Sequence, residues 1–424
     1  MRILHISDFH LDKSDKTDSV THIVEPLKST IEKIQSQKSI DLIIFTGDLV
    51  NIGGKSYSSI TEAFLDCEET LISPLLEVTN LTKDKFYFVP GNHDIDRSAD
   101  SKRMELGLEQ DLVSQEKINN YILHPEGNER IKGFKEFEEY FYEGTDCNIS
   151  KTDFNSSYQV TINGLEIGIA CLNSSWRCYD SDTDKGKILI GERQIIDCLN
   201  DIKNCNLKIA LSHHHFEWLK DFDSEVIEVL LKQDFNMYFT GHTHKTKVGY
   251  TQDPDGKMFS FCSSGTLANS IRKPENKYEN GFSVIDYDYN EGTLTSTFYK
   301  GEYPKKEFIL NTSIGNNGVW ETKIPVGEEV EKIIFEQNLI KQINCEALPQ
   351  INSHLLTYST DTNAPKNIDE IFVMPNLVFK EEFDAEKTDK LVDDLAQIIN
   401  CDKNYIFFGT KESGKTILLD KILI

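Results

Sequence analysis

No apolar run in this chain of 424 residues approaches the roughly 18–20 residues that carry a helix across a bilayer, so a helical membrane span is excluded and a soluble protein is expected. Basic residues are also short, with 45 Lys+Arg against 70 Asp+Glu and a net charge of −25. A surface that coats long nucleic acid relies on Lys and Arg displacing condensed counterions, which leaves only a local basic groove open to that role. Cysteine pairs at CxxC spacing are missing, and the nine cysteines are scattered and odd in number, which fits reduced thiols rather than a disulfide framework. The strand-like Arg2-Ile3-Leu4-His5-Ile6-Ser7 begins at once, leaving no room for a signal peptide, so a cytoplasmic location is expected. Internal repeats and long low-complexity tracts are lacking too. What remains is a core-forming composition, 38% hydrophobic and 10% aromatic, too apolar for a disordered chain and long enough for two or three domains at roughly 150 residues each.

Short β-rich runs recur at Ile3–Ile6, Leu42–Phe45, Phe86–Val89, Leu207–Leu211 and Met237–Phe239. Helical periodicity lies between them at Leu27–Ile34, Ile60–Leu76 and Ile195–Ile202, so strand and helix alternate as in an α/β fold. Asn163-Gly164 and Asn290-Glu291-Gly292 predict two hairpins, hence antiparallel strands beside parallel ones. A charged, helix-like stretch from about 97 to 144 carries Tyr121, Phe134, Phe137, Tyr140 and Phe141 and interrupts the strand pattern. It reads as a helical insertion near the chemistry or as peripheral packing helices. The pattern loosens after Tyr303, and a new α/β pattern begins near Ile371.

Five polar clusters follow the strand-like runs: Asp8-Phe9-His10, Gly47-Asp48, Gly91-Asn92-His93-Asp94, His213-His214-His215 and Gly241-His242-Thr243-His244. An extended backbone turns alternate side chains to one side, so Asp8 with His10, and His242 with His244, can each aim two ligands at one point. Mixed imidazole and carboxylate donors accommodate Mn, Fe, Zn, Co or Ni, whereas an all-oxygen cage suggests Mg or Ca.

In this order the clusters resemble the calcineurin-like metallophosphoesterase superfamily, whose pattern is DxH, GD, GNH(D/E), H and GHxH. The Gly191-Glu192-Arg193-Gln194 segment is similar to the family's G-x-x-Q lead-in to the fourth motif. The resemblance covers about residues 1–300 and implies a four-layer αββα sandwich with two divalent ions, manganese favoured. One ion is expected on Asp8, His10 and His244, the other on Asn92, His214 and His242, with Asp48 bridging. His214 is selected by counting back from the position where relatives carry proline, here Phe216, and His213 is the alternative. His93 is expected as the general acid, free of the metals, and His215 as meeting substrate or solvent. Asp94 is expected to orient a neighbouring group, and Arg97 to be either a phosphate clamp or a surface ion pair. His5, His22, His124 and His354 are assigned no chemistry.

Gly409-Thr410-Lys411-Glu412-Ser413-Gly414-Lys415-Thr416 fits GxxxxGK[ST], the phosphate-binding loop. Tyr405–Phe408 reads as the entering strand and Ile417–Leu423 as the leaving helix, so backbone N–H groups, with Gly409, Gly414, Lys415 and Thr416, are placed to cradle nucleotide phosphates, ATP with Mg in the intact protein. The expected layout is a phosphoesterase domain over 1–300, a connecting region over 301–370 and the opening of a P-loop NTPase domain over 371–424. Phosphoesterase followed by NTPase resembles the STAND-type signalling and defence proteins, which implies self-association through the NTPase.

The start Met-Arg-Ile-Leu-His-Ile-Ser-Asp resembles class III cyclic-nucleotide phosphodiesterases and SbcD-type nucleases alike. The acidic balance leans toward a nucleotide or other small phosphodiester, with DNA or RNA cleavage as the alternative. A non-catalytic assembly module is the reading from another class. A protein Ser/Thr phosphatase fits less well, because GNHD stands where those enzymes carry GNHE.

Overall fold

In the computed structural model the described residues are 1–125, 128–145, 148–179, 183–252, 258–268, 280–302 and 305–324, with short pieces at 335, 339–340, 372, 377–379, 390–392, 395, 418–419 and 422. Along the chain, β1 (Arg2–Ile6) leads to the helical turn α1 (Lys16–Ser19) and on through Val20–Val24 into α2 (Glu25–Gln37). Then come β2 (Leu42–Phe45), α3 (Ile60–Cys67), α4 (Ser73–Thr79) and β3 (Phe86–Phe88). The expected insertion is helical, with α5 (Lys102–Asp111), α6 (Gln115–Leu123) and α7 (Lys132–Phe141). Strands β4 (Asn148–Lys151), β5 (Asn155–Ile162) and β6 (Leu165–Leu172) precede α8 (Glu192–Asp201), β7 (Leu207–Leu211), α9 (Asp221–Asp234) and β8 (Met237–Thr240). The unit finishes with β9 (Lys247–Gln252), β10 (Met258–Ser263), β11 (Gly281–Asp288), β12 (Thr293–Glu302), β13 (Glu307–Leu310) and β14 (Val319–Lys323).

These strands form two seven-stranded mixed sheets. The first runs β13-β12-β11-β1-β2-β3 with β14 also on β12, and the second runs β4-β5-β6-β7-β8-β10-β9. In both, the apolar runs read from the sequence are the parallel centre: β1-β2-β3 in one sheet, β6-β7-β8 in the other. Buried on both faces, they have no polar alternation to show. Both predicted hairpins form. Asn163 and Gly164 have φ of 50° and 79° between β5 and β6, and Gly292 has φ of 59° between β11 and β12.

The sheets face each other through pairs such as His5 with Phe239, 4.9 Å between rings, and Tyr87 with Tyr158 at 5.0 Å. Helix α2 covers the first sheet at β13 and α8 covers the second at β5 and β6, completing the αββα layering. The insertion is anchored by aromatics: Phe134, Phe137 and Phe141 of α7 are buried against Phe64 and Phe88, while Tyr121 of α6 stacks on Trp176. Each buried ring contributes about 2 kcal/mol of apolar transfer. Tyr140 does not join them and is half exposed.

By its contacts the chain divides into units Met1–Glu331 and Lys332–Ile424. The first sheet takes in β13 and β14, which lie in the stretch read as connecting region from 301. Of the second unit, a short antiparallel pair is described, β15 (Leu377–Phe379) with β16 (Lys390–Val392). The loop at 409–416, with Gly409, Gly414, Lys415 and Thr416, lies outside the described residues, as does His354. Among the described residues no helix is long and apolar enough to cross a membrane.

Candidate metal centre

All five clusters meet at one place, where β1, β2, β3, β7 and β8 end. Glycines allow the approach: a Cβ on Gly91 would lie 2.0 Å from Asp48 Oδ1, and one on Gly241 would lie 2.0 Å from Ser7 Oγ and 2.9 Å from Asp8 Oδ2. The expected extended backbone is not what aims the ligands. Asp8, His10, Asp48, His242 and His244 have φ of 57°, 50°, 62°, 63° and 54°, the left-handed region, which costs a non-glycine residue about 1–2 kcal/mol. Five such residues in one spot are strain held in place by the surrounding fold.

The donor atoms form two overlapping sets. On one side Asp8 Oδ1 is 3.3 Å from His244 Nε2 and 3.8 Å from His10 Nε2, and those two ring nitrogens are 3.3 Å apart. On the other, His213 Nε2 and His242 Nδ1 each lie 3.0 Å from Asn92 Oδ1. Asp48 Oδ2 stands between the sets, 3.4 Å from His10 Nε2 and 3.3 Å from His213 Nε2. Two ring nitrogens facing each other, as in His10 and His244, make a poor hydrogen-bond pair unless one carries a proton and the other does not. They are the donor chemistry of divalent transition-metal ions. Among the described residues four groups offer ligand atoms within 4.8 Å of one another: Asp8, His10 and His244; Asp8, Asp48 and His213; His213, His214 and His242; and His10, Asp48 and His93.

In the fourth cluster both His213 and His214 offer ring nitrogens within 4.8 Å of one another and of His242, but their other partners differ. His214 turns to the bed formed by residues 173–179: its Nδ1 meets Ser174 Oγ at 2.9 Å, and its Nε2 lies 3.9 Å from Cys178 Sγ. His213 is the residue that faces Asp48 and Asn92, with its Nδ1 on the Thr46 carbonyl at 2.7 Å, a bond that presents Nε2 to the centre. His215 leaves the site and accepts Glu217 N–H at 3.4 Å.

His93 packs edge-on against His10, 4.5 Å between rings. Its Nδ1 accepts Ile52 N–H at 3.2 Å and lies 3.1 Å from Asn51 Oδ1, so the turn after Asp48 meets this nitrogen and leaves Nε2 for proton transfer. Asn51 is a contact the sequence reading missed, although it stands only three residues beyond Asp48. Asp94 is an orienting group, as expected: its carboxylate accepts Asp48 N–H at 2.7 Å, Gly91 N–H at 2.8 Å and Val50 N–H at 3.0 Å, tying the second cluster to the third. Arg97 makes no ion pair among the described residues and donates to the carbonyls of Asn92 and Tyr179.

The electrostatics follow from crowding. Burial opposes ionisation of Asp8, yet His10 and His244 outweigh it and hold this carboxyl below its usual range. Burial likewise opposes ionisation of Asp48, and His213, His93 and His10 outweigh it. Burial works against a charged His213 as well, but Asp48 pushes its pKa up to about 9. His242 falls to about 3 through burial and then His213. His93 falls to about 4 through burial, against the pull of Asp48. Asp94 is pushed up to about 7 by burial and then by Asp48. Asp48 also raises His10 against burial, so His10 and His213, the imidazoles that face Asp48, hold protons where metal ions would otherwise serve.

The family model for calcineurin-like phosphoesterases matches residues 1–246. The chain belongs to the calcineurin-like phosphoesterase family. Its domain is that of a metal-dependent phosphoester hydrolase, and the donor set above fits a two-metal centre. A curated relative, the uncharacterized metallophosphoesterase-like protein YydB of Bacillus subtilis strain 168, is 22% identical over 307 residues, 70% of this chain and 59% of the relative. The chain thus spans about six-tenths of the length of that relative. Among solved structures, a dimetal phosphatase from Danio rerio is similar at 11% identity and a TM-score of 0.40, covering 73% of this chain and 98% of its own. Zinc-complexed Vps29 from Entamoeba histolytica is similar at 13% identity and a TM-score of 0.32, covering 73% and 97%. Neither likeness is large enough to bear on function.

Proposed function

We propose that this calcineurin-like phosphoesterase is a phosphodiesterase of nucleotides or nucleic-acid phosphodiesters, with Asp8, His10 and His244 on one metal, Asn92, His213 and His242 on the other, and Asp48 bridging. His213 takes the ligand role first assigned to His214. The observation that carries the reading is the Asp48 carboxylate, whose Oδ2 is within 3.4 Å of one ring nitrogen from each set. Two divalent ions held by these residues would supply acidification of a water and neutralisation of charge on the phosphoryl oxygens. The neutral Asn92 ligates through its amide oxygen without cancelling positive charge, as a further carboxylate would. His93 hands a proton from Nε2 to the leaving alkoxide, and its ring is kept in line by Ile52 N–H and Asn51 at Nδ1. Asp94 keeps the loops of Asp48 and Asn92 in register through their backbone N–H groups. A small anionic diester suits a chain of net charge −25 better than long duplex DNA does. The loop at 409–416 is proposed as a separate nucleotide-phosphate element of an NTPase region, and that region as the part through which the protein self-associates.

The test is manganese-dependent hydrolysis of bis-p-nitrophenyl phosphate beside p-nitrophenyl phosphate, with wild type and His93→Ala. Diester turnover that collapses in the variant supports the reading. Preference for the monoester refutes the diester assignment, and silence on both with two metals bound favours an assembly role.

A further inference from the structure

Three of the chain's seven arginines, Arg97, Arg130 and Arg177, gather around Tyr179. Two of them share acids within the insertion. Arg130 Nε is 2.8 Å from Asp100, its Nη2 pairs with Glu105, and Arg177 Nη1 lies 3.7 Å from Asp100. Both guanidinium groups also lie over the Tyr179 ring, at 5.7 and 5.1 Å. Arg97 is different. Among the described residues it has no carboxylate partner, and its half-buried guanidinium spends its bonds on backbone: Nη2–H to the Asn92 carbonyl at 2.9 Å and Nη1–H to the Tyr179 carbonyl at 3.2 Å.

Those two carbonyls belong to turns that serve the site in different ways. Asn92 carries a metal-facing amide and precedes His93. The Tyr179 turn is the bed: Cys178 O accepts from Arg130 at 2.6 Å, Tyr179 N–H donates to Asp184 at 2.7 Å, and Tyr179 Oη accepts from Arg177 at 2.7 Å. The rest of the Asn92–His93 turn is tied at Gly91 N–H to Asp94 (2.8 Å), at His93 N–H to Asp48 Oδ1 (2.8 Å) and at His93 O to Gly53 N–H (2.7 Å). These ties lead back to the first sheet. From the second sheet's side Ser175 Oγ–H reaches Pro90 O at 3.0 Å, and His213 and His242 meet Asn92 Oδ1 at 3.0 Å each; Arg97 adds a backbone-to-backbone tie, from the Asn92 carbonyl to the Tyr179 carbonyl beside the insertion.

We propose that Arg97 is a positioning residue that straps the Asn92–His93 turn to the Cys178–Tyr179 turn, so that the bed buttressed by the helical insertion holds Asn92 Oδ1 and His93 in register with the centre. This rests on the phosphodiesterase reading above. A guanidinium satisfies two carbonyls at fixed spacing, which a lysine ammonium matches only in part and a glutamine amide not at all. A displacement of about 1 Å at a reacting group costs about a hundredfold in rate.

The experiment measures kcat and KM for bis-p-nitrophenyl phosphate with manganese, together with manganese content and melting temperature, for wild type, Arg97→Gln, Arg97→Lys, His93→Ala and the double variant His93→Ala/Arg97→Gln. Arg97→Gln lowers kcat by about tenfold to a hundredfold, leaves KM within about twofold and keeps two manganese ions, and Arg97→Lys falls between it and wild type. On the His93→Ala background the same change costs less than about threefold further, because both act on one element. A raised KM at wild-type kcat makes Arg97 a substrate contact and overturns the proposal. Wild-type kinetics in Arg97→Gln overturns it as well, and so does its full loss repeated on a His93→Ala background that is itself impaired. If His93→Ala alone turns over like wild type, the role of His93 fails. A kcat loss in Arg97→Gln with both ions bound then still carries the strap, through Asn92, and no loss ends it. Should Arg97→Gln fail to fold, Arg97→Lys alone carries the kcat-against-KM comparison.

Discussion

Two buried polar clusters lie close together in this domain, and they are built on opposite rules. In the insertion, cations meet anions: Arg130 lies 2.8 Å from Asp100, and Lys135 pairs with the buried Glu138, which also accepts from Ser156 at 2.7 Å and Tyr158 at 3.0 Å. At the metal centre, like faces like: His10 Nε2 is 3.3 Å from His244 Nε2, and His213 and His242 converge on one amide oxygen. In the first arrangement each named charge has an opposite charge beside it, so its work is to hold structure. The second is satisfied only by something that accepts lone pairs from every side, and the five ligand residues at positive φ show that the fold spends stability to keep it so.

That contrast predicts that loss of function and loss of stability separate. Asp48→Asn lowers kcat for the diester by on the order of a thousandfold and reduces manganese content, while the metal-free protein melts within a few degrees of wild type. A variant that kept full metal-dependent turnover would sink the bridging role. Arg130→Met leaves Glu105 without its buried cation and Asp100 with Arg177 alone, at 3.7 Å, and costs about 3 kcal/mol of stability in urea unfolding, with two manganese ions still bound per folded molecule. If instead metal content falls and stability holds, the two clusters are not the separate devices described here. The third separation lies inside the histidine triplet. His213→Ala binds about one manganese ion in place of two, whereas His214→Ala keeps two, counted by metal analysis after gel filtration.

The triplet is also where the sequence was least legible. Three identical residues offer no chemical contrast, and which one turns inward depends on where β7 ends, at Leu211, and on the Thr46 carbonyl catching His213 Nδ1 from a loop 167 residues away in the chain. Strand-end positions of Asp8, Asp48, Asn92 and His242 could be read because apolar runs stop abruptly before them. The pairing of Asp8 with His10 was expected for a different backbone reason, since a pleated strand and two left-handed residues flanking buried Phe9 both bring alternate side chains together. Ser174, Cys178 and the carbonyls gripped by Arg97 and Arg130 had no local signal, because their contacts join segments with no shared periodicity. The insertion's aromatics were visible as residues, but only packing distinguishes Phe137, stacked on Phe64 at 5.0 Å, from exposed Tyr140.

The protonation pattern sharpens the comparison further. Against burial, Asp48 raises His213 to about 9, so below that pH the free protein holds a proton where the proposed ligand set needs a lone pair. Metal must displace it, and apparent affinity rises by about tenfold per pH unit as pH climbs toward 9, then levels. Calorimetry of manganese uptake at pH 7 in two buffers of different ionisation enthalpy should register at least one proton released, from His213 and in part from His10, which Asp48 also raises against burial. Uptake without proton release would mean that His213 is not a ligand.

The smallest effect concerns Ile52, which shares the left-handed backbone of the ligands at φ 43° but holds no donor side chain and is 57% exposed. A β-branched residue is the least suited to that conformation, and the turn needs only its N–H, which reaches His93 Nδ1. Ile52→Gly therefore keeps that bond and removes the strain, and it should raise stability by roughly 0.5–1 kcal/mol after the entropy of a more flexible unfolded chain is counted. The same release at Asp8 or His242 would delete a ligand, so among these strained positions Ile52 is one where strain and chemistry can be separated. If Ile52→Gly gains stability and turnover is unchanged, the strain there is incidental to the loop. If stability rises while kcat falls, the turn stores its strain in the orientation of His93, and the metal centre extends to a residue that touches no metal.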